Sequence, residues 1–104
     1  MENLKNKIKK LGWNIYEIDS CDGKGWELEK YSPAGEDFIF QIEHNQTVEK
    51  AIENIKEYAN NFDEDEHARF WATAGDVGQP TTLKELVQDA ENIHNMLYEL
   101  ANSL

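Results

Sequence analysis

The stretch Trp26-Glu27-Leu28-Glu29-Lys30-Tyr31-Ser32-Pro33-Ala34-Gly35-Glu36-Asp37-Phe38-Ile39-Phe40-Gln41-Ile42-Glu43-His44 reads as two strands and the turn between them. Successive side chains on a strand point to opposite faces, so Trp26 and Leu28 share one face, and Phe38, Phe40 and Ile42 share another. Ser32 to Glu36 is a turn by composition, and a turn that short joins antiparallel neighbours. Upstream, Trp13 to Ile18 alternates well enough for a further strand, followed by a turn over Asp19 to Gly25. The expectation is a three-stranded antiparallel meander. Its Trp26/Leu28 and Phe38/Phe40/Ile42 face needs a layer of helices to cover it.

Helical spacing supplies that layer. Leu4, Ile8 and Leu11 predict a short helix over residues 2–11 with lysines on its outer face, ended by Gly12 in the left-handed conformation. Thr47 is placed to cap a helix carrying Val48, Ile52, Ile55, Ala59 and Phe62 on one stripe. Asp63 opens another helix, with Glu66 three residues on to complete a capping box, and Phe70 and Trp71 give that helix its buried side. The loop from Ala72 to Pro80 stops it, because glycines and a proline disfavour continuation. Thr82-Leu83-Lys84-Glu85 caps the last helix, which repeats Leu83, Leu86, Ala90, Ile93, Leu97, Leu100 and Leu104 at spacings of three and four. The fold class expected is α+β, a three-stranded antiparallel sheet with helices packed on one face, in the order α-β-β-β-α-α-α. With 104 residues the chain fits one domain, 1–104.

Charge is the most unusual feature of the composition. Against 21 acidic residues stand 10 basic ones, a net charge of -11. Binding to bare nucleic acid requires cations that displace counterions from phosphates, so this balance argues against it, and equally against an anionic membrane. The first part of the chain has the α-β-β-β-α order of double-stranded RNA-binding domains. The matching helix, however, carries Glu49, Glu53 and Glu57 against Lys50 and Lys56. From Glu57 onward ten acids face only Arg69 and Lys84, a net of -8 (2 minus 10), a field that steers towards a basic partner. Solubility is the other explanation of the same charge. No apolar run reaches the length of a membrane span, the N-terminal residues do not read as a signal peptide, and the single Cys21 excludes an internal disulfide. A cytoplasmic location is expected. Asn45-Gln46-Thr47 matches a glycosylation sequon but reads better as a turn and helix cap.

Candidate partner-binding residues are Glu49, Glu53 and Glu57, which i,i+4 spacing puts on one helix face, and the run Asp63, Glu64, Asp65 and Glu66. Closely spaced carboxylates imitate a row of phosphates and fit a groove that binds nucleic acid. Acids in a first turn also stabilise their helix, which accounts for Asp63 and Glu66 better than for four in a row. No metal site is expected: Asp63 and His67 are two ligands at i,i+4, His44 and His94 have no ligand set around them, and a calcium loop around Gly23 would put Ile18 at its first position. The three histidines read as ordinary surface or boundary residues. No catalytic residues and no cofactor are expected. Cys21 lies between Asp19 and Asp22, which disfavour a thiolate, and no nucleophile-elbow, zinc-protease or phosphate-loop motif occurs. The apolar stripe of the last helix either packs on the sheet and the Val48–Ile55 helix or forms a homodimer through Leu83–Leu104. Trp26 and Phe38 are expected in the core, as are Trp13, Tyr16, Tyr31 and Trp71. An exposed aromatic beside acids would instead anchor a partner.

The segment Tyr31-Ser32-Pro33-Ala34-Gly35-Glu36-Asp37-Phe38, the stretch Phe62-Asp63-Glu64-Asp65-Glu66-His67 and the helix Pro80 to Ala90 with its Glu-Leu-Val-x-Asp-Ala core resemble segments of small acidic proteins of Gram-positive phages and integrative elements. The resemblance runs from about Trp26 to Leu100. It implies no catalytic residues. It implies a setting in which small acidic proteins inhibit host defence nucleases, as anti-CRISPR proteins and restriction inhibitors do. The functional expectation is an acidic inhibitor that binds the basic surface of a nuclease or CRISPR effector as a nucleic-acid mimic. An oligomeric regulatory or accessory protein acting through its C-terminal helix is the alternative.

Overall fold

The computed structural model describes residues 1–20, 23–74 and 82–104, the side chains of residues 20, 70–74 and 83 excepted. Cys21, Asp22, the side chains of Phe70 and Trp71, and the loop residues 75–80 therefore lie outside the described residues. The elements are α1 (Glu2–Lys10), β1 (Asn14–Ser20), β2 (Gly23–Tyr31), β3 (Asp37–Glu43), α2 (Val48–Asn61), α3 (Glu64–Ala74) and α4 (Leu83–Asn102). This is the α+β order expected. The turn between β1 and β2 is shorter than composition suggested, because Asp19 and Ser20 pair with Lys24 and Gly23 and extend the ladder. At the end of α3, Ala72 to Ala74 are still helical, so the stop falls later than the sequence implied.

The sheet is antiparallel in the order β1-β2-β3. Its register sets Ile15 opposite Leu28, and Leu28 opposite Phe40. These residues, with Trp13, Trp26, Phe38 and Ile42, form the covered face. They meet Leu4 and Ile8 of α1, Ala51, Ile55 and Ala59 of α2, and Ile93, Leu97 and Leu100 of α4 in one buried cluster. Each fully buried large apolar side chain in it contributes about 1.5–3 kcal/mol relative to exposure. Trp13 stands edge-on to Phe40 at 5.5 Å, and Phe40 stacks on Tyr58 of α2 at 4.4 Å. A smaller cluster of Ala68, Leu86 and Ala90 joins α3 to α4. Leu86, Ala90, Ile93, Leu97 and Leu100 of the α4 stripe are thus buried inside the chain's own core. Among the described residues, Val87 and Tyr98 are the exposed large apolar side chains of α4, at 41% and 40%.

Local chemistry fixes the ends. Gly12 follows α1 with φ 94°, the left-handed value that glycine adopts without steric cost. Thr47 accepts from the Lys50 N–H at 3.3 Å and Thr82 from the Glu85 N–H at 3.1 Å, so both threonine caps form. Asp63 accepts from the N–H groups of Asp65 and Glu66 at 3.0 and 3.2 Å. Gly25 is required by a close approach of strands: a Cβ there would lie 2.2 Å from the Ile42 carbonyl oxygen. Among the described residues no helix is long and apolar enough to cross a membrane.

Candidate protein-binding surface

Two pairs of polar residues tie the helices to the β2–β3 turn, and a third ties α3 to α4. Ser32 donates its hydroxyl to Asp89 at 2.8 Å, the Ala34 N–H donates to the other Asp89 oxygen at 3.2 Å, and Asp89 is buried. His67 meets Glu36 at 2.7 Å, and His94 meets Glu64 at 2.6 Å. The segments Tyr31–Phe38 and Phe62–His67 therefore meet each other through Glu36 and His67, and the first meets α4 through Ser32 and Asp89, at the β2–β3 turn. Elsewhere Glu17 gathers the Lys5 ammonium at 2.6 Å, the Trp26 indole N–H at 3.0 Å and the buried His44 at 3.6 Å. The Lys5 contact, helped by Trp26 and His44, holds Glu17 below the usual carboxylate range, and the Glu17 contact, with the charge of Glu2, holds Lys5 above the usual ammonium range. His67 and His94 are half-buried boundary residues, as expected, and each lies against a carboxylate; His44 is corrected from a surface or boundary residue to a buried one. Among the described residues no group of three or more His, Cys, Asp or Glu is placed to hold a metal ion.

The acidic residues singled out from sequence divide in two. Glu49, Glu53 and Glu57 are exposed along α2, and Asp65 and Glu66 are exposed at the start of α3. Asp63 is a helix cap and Glu64 is the partner of His94, so half of the 63–66 run has a structural task. Among the described residues none of Glu49, Glu53, Glu57, Asp65 or Glu66 has an ion-pair partner.

A second acidic surface escaped the sequence reading. The face of the sheet turned away from the helices carries Glu27 and Glu29 of β2, Asp37 and Glu43 of β3, and the neutral side chains Asn14, Tyr16, Ile39 and Gln41. Tyr16 donates its hydroxyl to Glu29 Oε1 at 3.1 Å, Asn14 donates to the same oxygen at 3.3 Å, and Gln41 donates to Glu27 Oε1 at 3.2 Å. The Glu29 carboxylate holds the Tyr16 phenol above its usual range. Asp37 is raised above the usual carboxylate range by desolvation, then by its contact with Glu29 and the charges of Glu29 and Glu27. The expectation that Tyr16 and Tyr31 are core residues is overturned: they are 48% and 62% exposed. The parity of β2 carried the signal, since Tyr31 shares its face with Glu27 and Glu29 and not with Trp26 and Leu28.

The open sheet face and the α2 acids are linked around the β3 edge. A groove of about 370 Å³ runs between Gln41, Ile42 and Glu43 on one side and Lys50, Asn54, Glu57, Tyr58 and Asn61 on the other. Asn54 donates across its floor to the Glu43 carbonyl at 2.6 Å. No protein-family model, curated protein or solved structure matches the chain.

Proposed function

We propose that the chain is an acidic binding protein, acting without catalysis in the cytoplasm, that occupies the basic nucleic-acid-handling surface of a host defence protein such as a nuclease or CRISPR effector. The carrying observation is that its negative charge is displayed and not neutralised internally. Among the described residues the ion pairs use only Glu2, Glu17, Glu36 and Glu64. The carboxylates of the open sheet face, the α2 row Glu49, Glu53 and Glu57, and Asp65 and Glu66 have no ion-pair partner among the described residues. A surface of that kind accelerates encounter with a cationic groove and repels phosphates and anionic lipids. The likeness of the Tyr31–Phe38, Phe62–His67 and Pro80–Ala90 segments to phage and integrative-element proteins supports a defence protein as target.

The experiment is salt-graded capture of partners from a host lysate, followed by competition with nucleic acid on each purified partner. A partner retained at low salt and displaced by excess nucleic acid supports the reading. Partners that ignore both salt and nucleic acid contradict it.

One observation favours a second reading, an oligomeric accessory protein acting through α4. Val87 and Tyr98 are eleven residues apart (98 minus 87), about three helical turns, and so expose apolar groups along one side of that helix. A concentration-independent monomeric mass would count against it.

A further inference from the structure

The open sheet face carries more than carboxylates. Its register sets Tyr16 opposite Glu27, Ile39 opposite Glu29 and Tyr31 opposite Asp37, so a large side chain stands beside an acid in each of these three pairs. Ile39 is 43% exposed, and with Tyr16 and Tyr31 it accounts for three of the five exposed large hydrophobic side chains among the described residues. Solubility alone favours acids here, and it does not favour rings among them. Among the described strand residues no cation shares the face: Lys24 and Lys30 of β2 have the parity of Trp26 and Leu28, and the Lys30 ammonium donates to the Leu11 carbonyl at 2.7 Å. Glu27 and Glu29 also accept from neutral donors on this face, Gln41 on Glu27 Oε1 and Tyr16 and Asn14 on Glu29 Oε1, which orients each carboxylate.

We infer that this face, and not the α2 row or the start of α3, is the primary docking surface, and that its occupant is an arginine-bearing segment of another protein. The inference rests on the proposed function above, that the partner is basic, and adds which face meets it and which cation it recognises. A guanidinium is planar: it donates two parallel hydrogen bonds to a carboxylate and stacks on an adjacent ring, where an ammonium makes only a point contact. Rings next to oriented carboxylates match the first and are indifferent to the second. A second copy of the chain does not fit, because a two-fold contact would set Glu27, Glu29, Asp37 and Glu43 against the same four acids. Nucleic acid and anionic lipid are excluded by the same sign of charge.

The test uses the full chain labelled with nitrogen-15 and two synthetic decapeptides of equal charge, one alternating Arg and Gly, the other Lys and Gly. Amide shifts on titration are expected to centre on Tyr16, Glu27, Glu29, Tyr31, Asp37 and Ile39. The Arg peptide is expected to bind about two- to fivefold tighter than the Lys peptide. Replacing the exposed rings, Tyr16→Ser with Tyr31→Ser, is expected to remove that preference while an otherwise unchanged spectrum reports an intact fold. Shifts centred on Glu49, Glu53 and Glu57 or on Asp65 and Glu66, or equal affinity for the two peptides, would overturn the inference and leave the acidic docking function standing. No binding of either peptide at any site would overturn both.

Discussion

Asp89 of α4 accepts the Ser32 hydroxyl at 2.8 Å and so joins the last helix to the turn between β2 and β3. The bond is buried, and the second Asp89 oxygen is taken by the Ala34 N–H. Hydrogen bonds to a buried charge are among the stronger ones, and their loss leaves donors without partners. Asp89→Ala is expected to destabilise the fold by about 2–4 kcal/mol, and Ser32→Ala by about 1–3 kcal/mol, read from urea midpoints. A change in Asp89→Ala within about 0.5 kcal/mol, the range of neutral surface substitutions, would contradict this role.

Gly25 lets β2 and β3 approach at the point where Glu43 is its partner. A methyl group there would sit against the Ile42 carbonyl, which is backbone and cannot move aside as a side chain would. Gly25→Ala is expected to cost about 1–3 kcal/mol. Faster amide exchange along β3 would accompany the loss. An unchanged midpoint would argue against this register.

Two carboxylates make opposite contributions to stability as pH changes. Asp37 titrates above its ordinary value of 3.8, so the folded chain binds this proton more readily than the unfolded chain, and stability falls as pH rises from 3.8 through the folded value. Asp37→Asn should therefore be more stable than the parent at neutral pH, with the gain vanishing below the ordinary Asp range. Glu17 titrates below its ordinary value of 4.5; its contribution is fully present above 4.5 and is lost as pH falls through the folded value. Glu17→Gln should accordingly be less stable than the parent at neutral pH, with the two converging in acid. Urea midpoints between about pH 3 and pH 7 check both signs.

Exposed rings on the open face should matter to binding and not to folding. Tyr31→Ser is expected to shift stability by no more than about 0.5 kcal/mol, because Tyr31 is 62% exposed and makes no ring contact among the described residues. Its affinity for a basic partner is expected to fall about two- to fivefold at low salt. Thermal unfolding and titration calorimetry separate the two effects.

The covered face was legible in the sequence because Phe38, Phe40 and Ile42 alternate with polar residues, and the helices because Thr47 and Thr82 cap apolar stripes. The open face was less legible. In β1, Trp13 and Ile15 alternate with Tyr16 and Ile18, so both faces read as apolar, and only pairing with Glu27 and Glu29 reveals that Tyr16 faces outward. The acids at 63–66 stood out because they are contiguous, yet contiguity in a first helical turn mixes a cap and a histidine partner with two exposed residues. Glu27, Glu29, Asp37 and Glu43 are scattered in sequence, and it is the register that brings them to one surface. The anchoring of Glu36 by His67 and of Glu64 by His94 spans helices and turns distant in the chain, which spacing does not reveal.

The most direct measurement is displacement of nucleic acid from a captured basic partner by the parent chain and by two neutralised variants. One carries Glu27→Gln, Glu29→Gln, Asp37→Asn and Glu43→Gln; the other carries Glu49→Gln, Glu53→Gln and Glu57→Gln. Displacement by the parent that weakens with salt, and that drops about tenfold or more in at least one variant of unchanged fold, is the predicted result. Undiminished displacement by both variants, or binding that leaves the nucleic acid in place, would contradict the claim that the displayed carboxylates occupy a nucleic-acid-binding surface.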